Sequence, residues 1–136
     1  MILQIIIAVI VSMILGFIWY GPLFGKVWGN IIGVDVEVAK NDPKTKKRMP
    51  LLVATNMAFS LLTVFMLAVI FTRLNVADIH TGIRISFFLF LGFIFPLIGT
   101  SALWSGKPRR LAWEMFFVMM GYQLIMFVFY GIILSF

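Results

Sequence analysis

Cysteine is absent from the chain, and histidine occurs once, at His80. The first absence excludes disulfides, thiol nucleophiles and iron–sulfur ligation. The second excludes a histidine-rich metal site within one chain. His80 with Asp78 falls short of the three or four protein ligands that zinc needs, so His80 reads as a solvated loop residue. Neither a metal nor a cofactor is expected. Acidic groups are scarce as well: five Asp and Glu stand against eleven Lys and Arg, a formal net charge of +6. No GxSxG, HExxH, P-loop or dinucleotide fingerprint occurs. Basic excess serves nucleic-acid binding in some soluble proteins. Here no interleaving of aromatic and basic residues accompanies it, and no nucleic-acid partner is expected.

Charge of either sign is missing from four long stretches, roughly Ile2–Tyr20, Pro50–Thr72, Ile85–Ser105 and Met115–Phe136. A helix rises about 1.5 Å per residue and a bilayer core is about 30 Å thick, so ~20 apolar residues span it. The composition agrees: 62% of residues are hydrophobic and the mean hydropathy is +1.10, against ~45–50% apolar residues in ordinary soluble domains. The pattern predicts an all-α fold, an integral membrane bundle of four transmembrane helices with a short interfacial segment between helices 1 and 2. The helices are expected at about 2–20, 50–72, 83–105 and 111–136, within a single membrane domain over 1–136. The loops fall at 21–49, 73–82 and 106–110, and none can bury a core of its own. The first stretch lacks a basic lead-in and a small-residue cleavage site, so it reads as a retained helix, not a signal peptide.

The basic residues give an orientation. Lys26, Lys40, Lys44, Lys46, Lys47 and Arg48 precede helix 2, and Lys107, Arg109 and Arg110 precede helix 4. Only Arg73 and Arg84 flank the middle loop. The positive-inside rule therefore puts the first and third loops in the cytoplasm and both termini on the outer side of a cell membrane. The run Lys44, Lys46, Lys47, Arg48 is also a candidate contact for anionic lipid, each charge gaining about 1 kcal/mol near an acidic leaflet. A topology signal explains the same run.

Local sequence adds detail. Ala8, Ser12 and Gly16 share one face of helix 1, a small-residue pattern that lets membrane helices approach closely. Asp35 is placed to cap a short helix over Val36–Lys40, and Pro50 suits the first turn of helix 2. Pro96, near Gly92 and Gly99, predicts a kink that frees a carbonyl near Gly92. Gly16-Phe17-Ile18 with Pro22, and Gly92-Phe93-Ile94 with Pro96, suggest a duplicated hairpin.

Candidate functional residues are few. Asn56, Ser60 and Thr63 form a polar stripe on helix 2, and Gln123 lies near the middle of helix 4. Polar groups in lipid need internal partners, so these should face other helices. Glu114 is the one carboxylate close to a span. It is a proton-handling candidate, although a pair with Arg110 one turn earlier explains it more simply. Glu114, Asn56 and the Pro96 kink are close enough in expected depth to surround one small polar pocket. The loop residues Trp19, Tyr20, Pro22, Phe24, Lys26 and Trp28 form a candidate interface, lying in the headgroup layer or tucked against the bundle.

Two blocks resemble a known family. Gly16-Phe17-Ile18-Trp19-Tyr20-Gly21-Pro22-Leu23-Phe24-Gly25-Lys26-Val27-Trp28 is similar to the N-terminal block of the small bacterial membrane proteins catalogued as domain of unknown function 1761. Gly106-Lys107-Pro108, Gly121-Tyr122-Gln123-Leu124 and Gly131-Ile132-Ile133-Leu134 resemble its C-terminal block. The resemblance implies a four-helix fold in a bacterial inner membrane and brings no activity, substrate or catalytic residue with it. The leading expectation is a non-enzymatic homo-oligomer with a transport or pore function at subunit interfaces. The alternative is an accessory or scaffold subunit that binds lipid or a partner protein. A lipid-modifying enzyme is disfavoured because no catalytic constellation is visible.

Overall fold

The computed structural model describes every residue, Met1–Phe136, and contains helices and turns with no strand. The first span begins with α1 (Ile2–Ile18) and runs on through one π-helical turn, Trp19–Leu23. Two short helices follow, α2 (Gly25–Ile32) and α3 (Val36–Asn41). The second span is α4 (Pro43–Arg73). The third is α5 (Ile79–Leu89), a π-helical turn (Phe90–Ile94) and α6 (Phe95–Leu103). The fourth is α7 (Arg109–Ile133). All four are long and apolar enough to cross a membrane.

Local chemistry explains the helix ends. The Asp35 carboxylate accepts the Glu37 amide at 3.0 Å and caps α3, as expected. Gly33 closes α2 with φ of 73°, a left-handed cap that glycine adopts without strain. The second span starts at Pro43, not Pro50. Asp42 accepts the Lys44 amide at 3.0 Å, and Pro43 occupies the first turn. An N-cap acid followed by proline begins a helix, and the Lys and Arg residues that follow are good helix formers. The polybasic run is thus helical. The third span opens at Ile79, earlier than expected, because Asp78 accepts the Thr81 amide at 2.9 Å. Hydrogen bonds from Thr81 hold the Asp78 carboxyl below its usual range, so the cap is ionised at neutral pH. The fourth span runs Arg109–Ile133, beginning slightly earlier and ending sooner than the apolar stretch.

The first and third spans each absorb a proline with a π turn. Pro22 cannot donate to Ile18, and within the widened turn the Phe24 amide reaches back five residues to the Trp19 carbonyl at 2.9 Å. In the third span the Phe95 amide bonds Phe90, and Pro96 leaves the Gly92 carbonyl without its usual donor. The kink expected at Pro96 therefore takes the form of a widened turn.

Packing divides into two levels. At the end remote from the basic loops, a core joins Ala8 and Val9 of α1 to Val64, Leu67, Ala68 and Phe71 of α4, Phe90, and Met126, Phe127 and Tyr130 of α7. At the basic end, Ile31 of α2, Ala102 of α6 and Met115 and Val118 of α7 form a second core. α4 contributes nothing to it. All four buried residues of α4 lie between Val64 and Phe71, and none lies in Pro43–Thr63. In lipid, apolar burial does not drive helices together, so close packing has to. The Ala8, Ser12, Gly16 face supplies part of it inside the bundle: Ala8 and Ser12 are buried, and a Cβ on Gly16 would stand 3.2 Å from the Tyr122 hydroxyl.

Candidate functional site

The most unusual surface follows from that split. The basic half of α4 carries Asn56 in an apolar setting that includes exposed Leu52, Met57, Phe59 and Leu62. Asn56 is exposed, and its side-chain hydrogen bond runs from the amide to Met13 Sδ at 3.4 Å. Thioether sulfur is a weak acceptor, so most of the amide's hydrogen-bonding capacity is unused within the chain. Thr63 donates to the Phe59 carbonyl at 3.1 Å, and Thr55 to Leu51 at 2.8 Å. Back-bonding of this kind satisfies a hydroxyl in lipid without a neighbour. Ser60 and Thr63 are half-buried, as is Gln123 on α7.

Glu114 meets Arg110 across the four-residue spacing. Arg110 Nε lies 3.3 Å from Glu114 Oε1 across one helical turn, and the arginine is largely exposed. Such a pair contributes only about 0.3–0.5 kcal/mol. Neither of the two main basic-end cavities takes Glu114, Asn56 or Pro96 into its lining. The physical reason is that α4 buries no residue at this depth: Asn56 reaches Met13 of α1, while Glu114 sits on α7.

The aromatic loop folds inward. The Trp19 indole donates to the Val118 carbonyl of α7 at 3.0 Å. Trp19 packs on Phe24 with ring centroids 4.6 Å apart, and Tyr20 touches Trp28 at 5.1 Å and Tyr122 at 5.4 Å. Phe24 and Trp28 are half-buried against the second core, while Pro22 and Lys26 remain exposed. Of the two placements open to the sequence, this segment tucks against the bundle.

Among the basic residues, Lys46 lines a shallow cleft of about 620 Å³ with Lys40, Met49 and Val53, whereas Lys44, Lys47 and Arg48 are simply exposed. Near the N-terminus of a helix these four cations oppose the macrodipole, which favours anions there.

Sequence reasoning missed several buried polar side chains. Ser12 is buried and donates to the Val9 carbonyl at 2.7 Å, while the Tyr122 hydroxyl donates to the Ser12 carbonyl at 3.0 Å. Tyr130 is buried nearby in the same core, and the Ser86 hydroxyl is fully buried without a partner. The signal available was weak: serine and tyrosine in these stretches looked like ordinary span residues. No group of three His, Cys, Asp or Glu side chains is placed to hold a metal ion.

No curated protein and no solved structure matches the chain. A family model does, over residues 3–135, and its description is Protein of unknown function (DUF1761). The match spans nearly the whole chain, both aromatic and glycine-rich blocks included, and the chain belongs to that family.

Proposed function

We propose that the protein acts as a non-enzymatic homo-oligomer in the membrane, with the basic half of α4 as the contact between copies. The observation that carries this reading is Asn56, an exposed amide in an apolar span with only a thioether for company. A second copy offers it a hydrogen-bonding partner that lipid tails do not. Exposed Ala54 and Ala58, one turn apart on α4, add a small-residue surface suited to close approach. Four spans alone enclose little space, so a polar route for a transported solute would form between copies, near Asn56, Ser60 and Thr63.

The test is native mass in nanodiscs. The wild type is expected as a multimer of the 15.5 kDa chain, and Asn56→Leu is expected to shift it towards monomer. Interhelical polar contacts are worth about 1 kcal/mol, so each subunit contact should weaken about fivefold. A wild-type monomer at all concentrations would sink the reading.

The proposal also carries an orientation, both termini outside and the basic loops in the cytoplasm. Because the chain has no cysteine, single substitutions report on sidedness without background. Asn75→Cys in intact cells should react with an impermeant maleimide, and Ser105→Cys should react only after lysis. The reverse pattern would overturn the orientation.

The accessory-subunit alternative would use the Gly21–Gly29 loop and the Lys44–Arg48 run as contact surfaces. Phe24 and Trp28 of that loop pack against the second core, which leaves the exposed Lys44, Lys46, Lys47 and Arg48 to carry it.

A further inference from the structure

A cavity of about 470 Å³ opens at the basic end of the third and fourth spans, away from the α4 surface just described. Its size falls within the roughly 300–1,000 Å³ of small-molecule sites. Leu103, Trp113 and Phe116 give it apolar walls, and Gly99 and Ala112 leave the room between them. Its charged residues are both cations, Lys107 and Arg109, and no carboxylate lines it. The nearest acid on α7, Glu114, is already paired with Arg110.

The two cations differ in a way that matters. Lys107 is half-buried and its ammonium donates to the Ile31 carbonyl at the end of α2, at 2.8 Å. That bond fixes the charge beside the cavity and leaves two of its three donor protons free. Arg109 is exposed, with no partner in the chain, so its planar fork is available for a phosphate. The same end of α7 has no side-chain cap and no acid in its first turn. Its free amides add positive potential at the same place.

We infer that this cavity binds an anionic phospholipid from the leaflet on the basic side, the phosphate between Lys107 and Arg109 and an acyl chain along Trp113 and Phe116. Charge complementarity selects an anionic headgroup, and the apolar walls at the end of two spans select a lipid over a free anion. The polybasic run on α4 is not the site: its cleft is shallower and lined by α3 and α4.

The experiment is native mass spectrometry of the purified full chain exchanged with phosphatidylglycerol or phosphatidylcholine. Phosphatidylglycerol is expected to be retained preferentially, one lipid per chain. Arg109→Gln should lower retention about fivefold, the loss of one favourable cation. Gly99→Leu should lower it at least as much by filling the cavity while leaving both charges. Its Cβ would meet only Phe116 Cε2, at 3.7 Å, so the backbone tolerates the change, and Ala112→Leu serves if helical content falls. Lys46→Gln with Lys47→Gln should leave retention unchanged. Equal retention of the two lipids would overturn the inference. So would loss that follows Lys46 and Lys47, or loss on Arg109→Gln with none on cavity filling, which would put the lipid on surface charge alone. Displacement of the retained lipid by inorganic phosphate, with phosphate bound in its place, would likewise assign the site to a free anion.

Discussion

Replacing Gly131 with valine is expected to part the third and fourth spans and to lower the melting temperature in detergent more than any single surface change. A Cβ at Gly131 would lie 2.8 Å from both the Gly82 carbonyl oxygen and Ile83 Cα. Both obstacles are backbone, so no rotamer change relieves the clash. The approach is mutual: a Cβ on Gly82 would meet the Gly131 carbonyl at 2.5 Å and collide with Ser135 Oγ. α5 and α7 therefore touch backbone to backbone at this crossing, as small-residue contacts in membranes permit. Overpacking costs about 1–3 kcal/mol where side chains can yield, and the cost here should reach or exceed the upper figure. Gly131→Ala should cost less, and Gly92→Ala supplies the control. Nothing lies within 4 Å of a Cβ on Gly92, so that variant should melt at or slightly above wild type. A Gly131→Val protein melting within a degree of wild type would mean the two helices do not approach this closely.

Truncating Trp19 to alanine is expected to release α2 from the bundle. The indole spans from the first π turn to α7, donating to Val118 and lying so close to α7 that a Cβ on Gly121 would stand 2.9 Å from Trp19 Cζ2. Large-to-alanine changes at packed aromatics cost about 3–5 kcal/mol, and Trp19 is only half-buried, so the lower end applies. Trp19→Phe keeps most of the packing and loses the hydrogen bond, a cost of about 1 kcal/mol. Gly121→Leu should mimic Trp19→Ala by taking the space of the ring. Hydrogen exchange reads the result directly, since amides of Gly25–Ile32 should lose protection in Trp19→Ala while those of Val64–Phe71 keep theirs. Uniform loss across both segments would indicate global unfolding, and unchanged protection would show that the indole does not anchor α2.

Oligomer and lipid are separable in these terms. Asn56 lies on α4 and the lipid cavity between α6 and α7, so a variant at one should leave the measurement at the other unmoved. That independence distinguishes failure of the oligomeric reading from failure of the lipid site.

The amount legible in the sequence varied by element, for physical reasons. Span number and approximate position follow from length and charge alone, because an uncharged run of the right length has no other stable place. Asp35 announced its short helix, since an acid ahead of Val36 and Glu37 is a cap whatever the tertiary context. The start of α4 at Pro43 is hidden in the sequence because polar Lys44–Arg48 resembles a loop, although a helix need not stop where the membrane does. The Arg110–Glu114 pair was legible from its four-residue spacing. The Trp19–Val118 bond joins residues far apart in the chain, and no local pattern encodes it.

The sequence by itself determined the solvent of this protein: an all-helical chain whose four uncharged stretches belong in lipid, with its cations gathered in two of three loops. Tertiary structure alone decided which faces are spent. It turned the small-residue face of α1 and the loop aromatics inward, and it left the basic half of α4 outside the second core. It also drew Lys107 to the end of α2 beside a cavity between α6 and α7. The reason is that hydropathy sets the cost of leaving the membrane, which each segment meets alone. Facing and depth depend on how closely two backbones can approach, and that is a property of pairs such as Gly82 and Gly131.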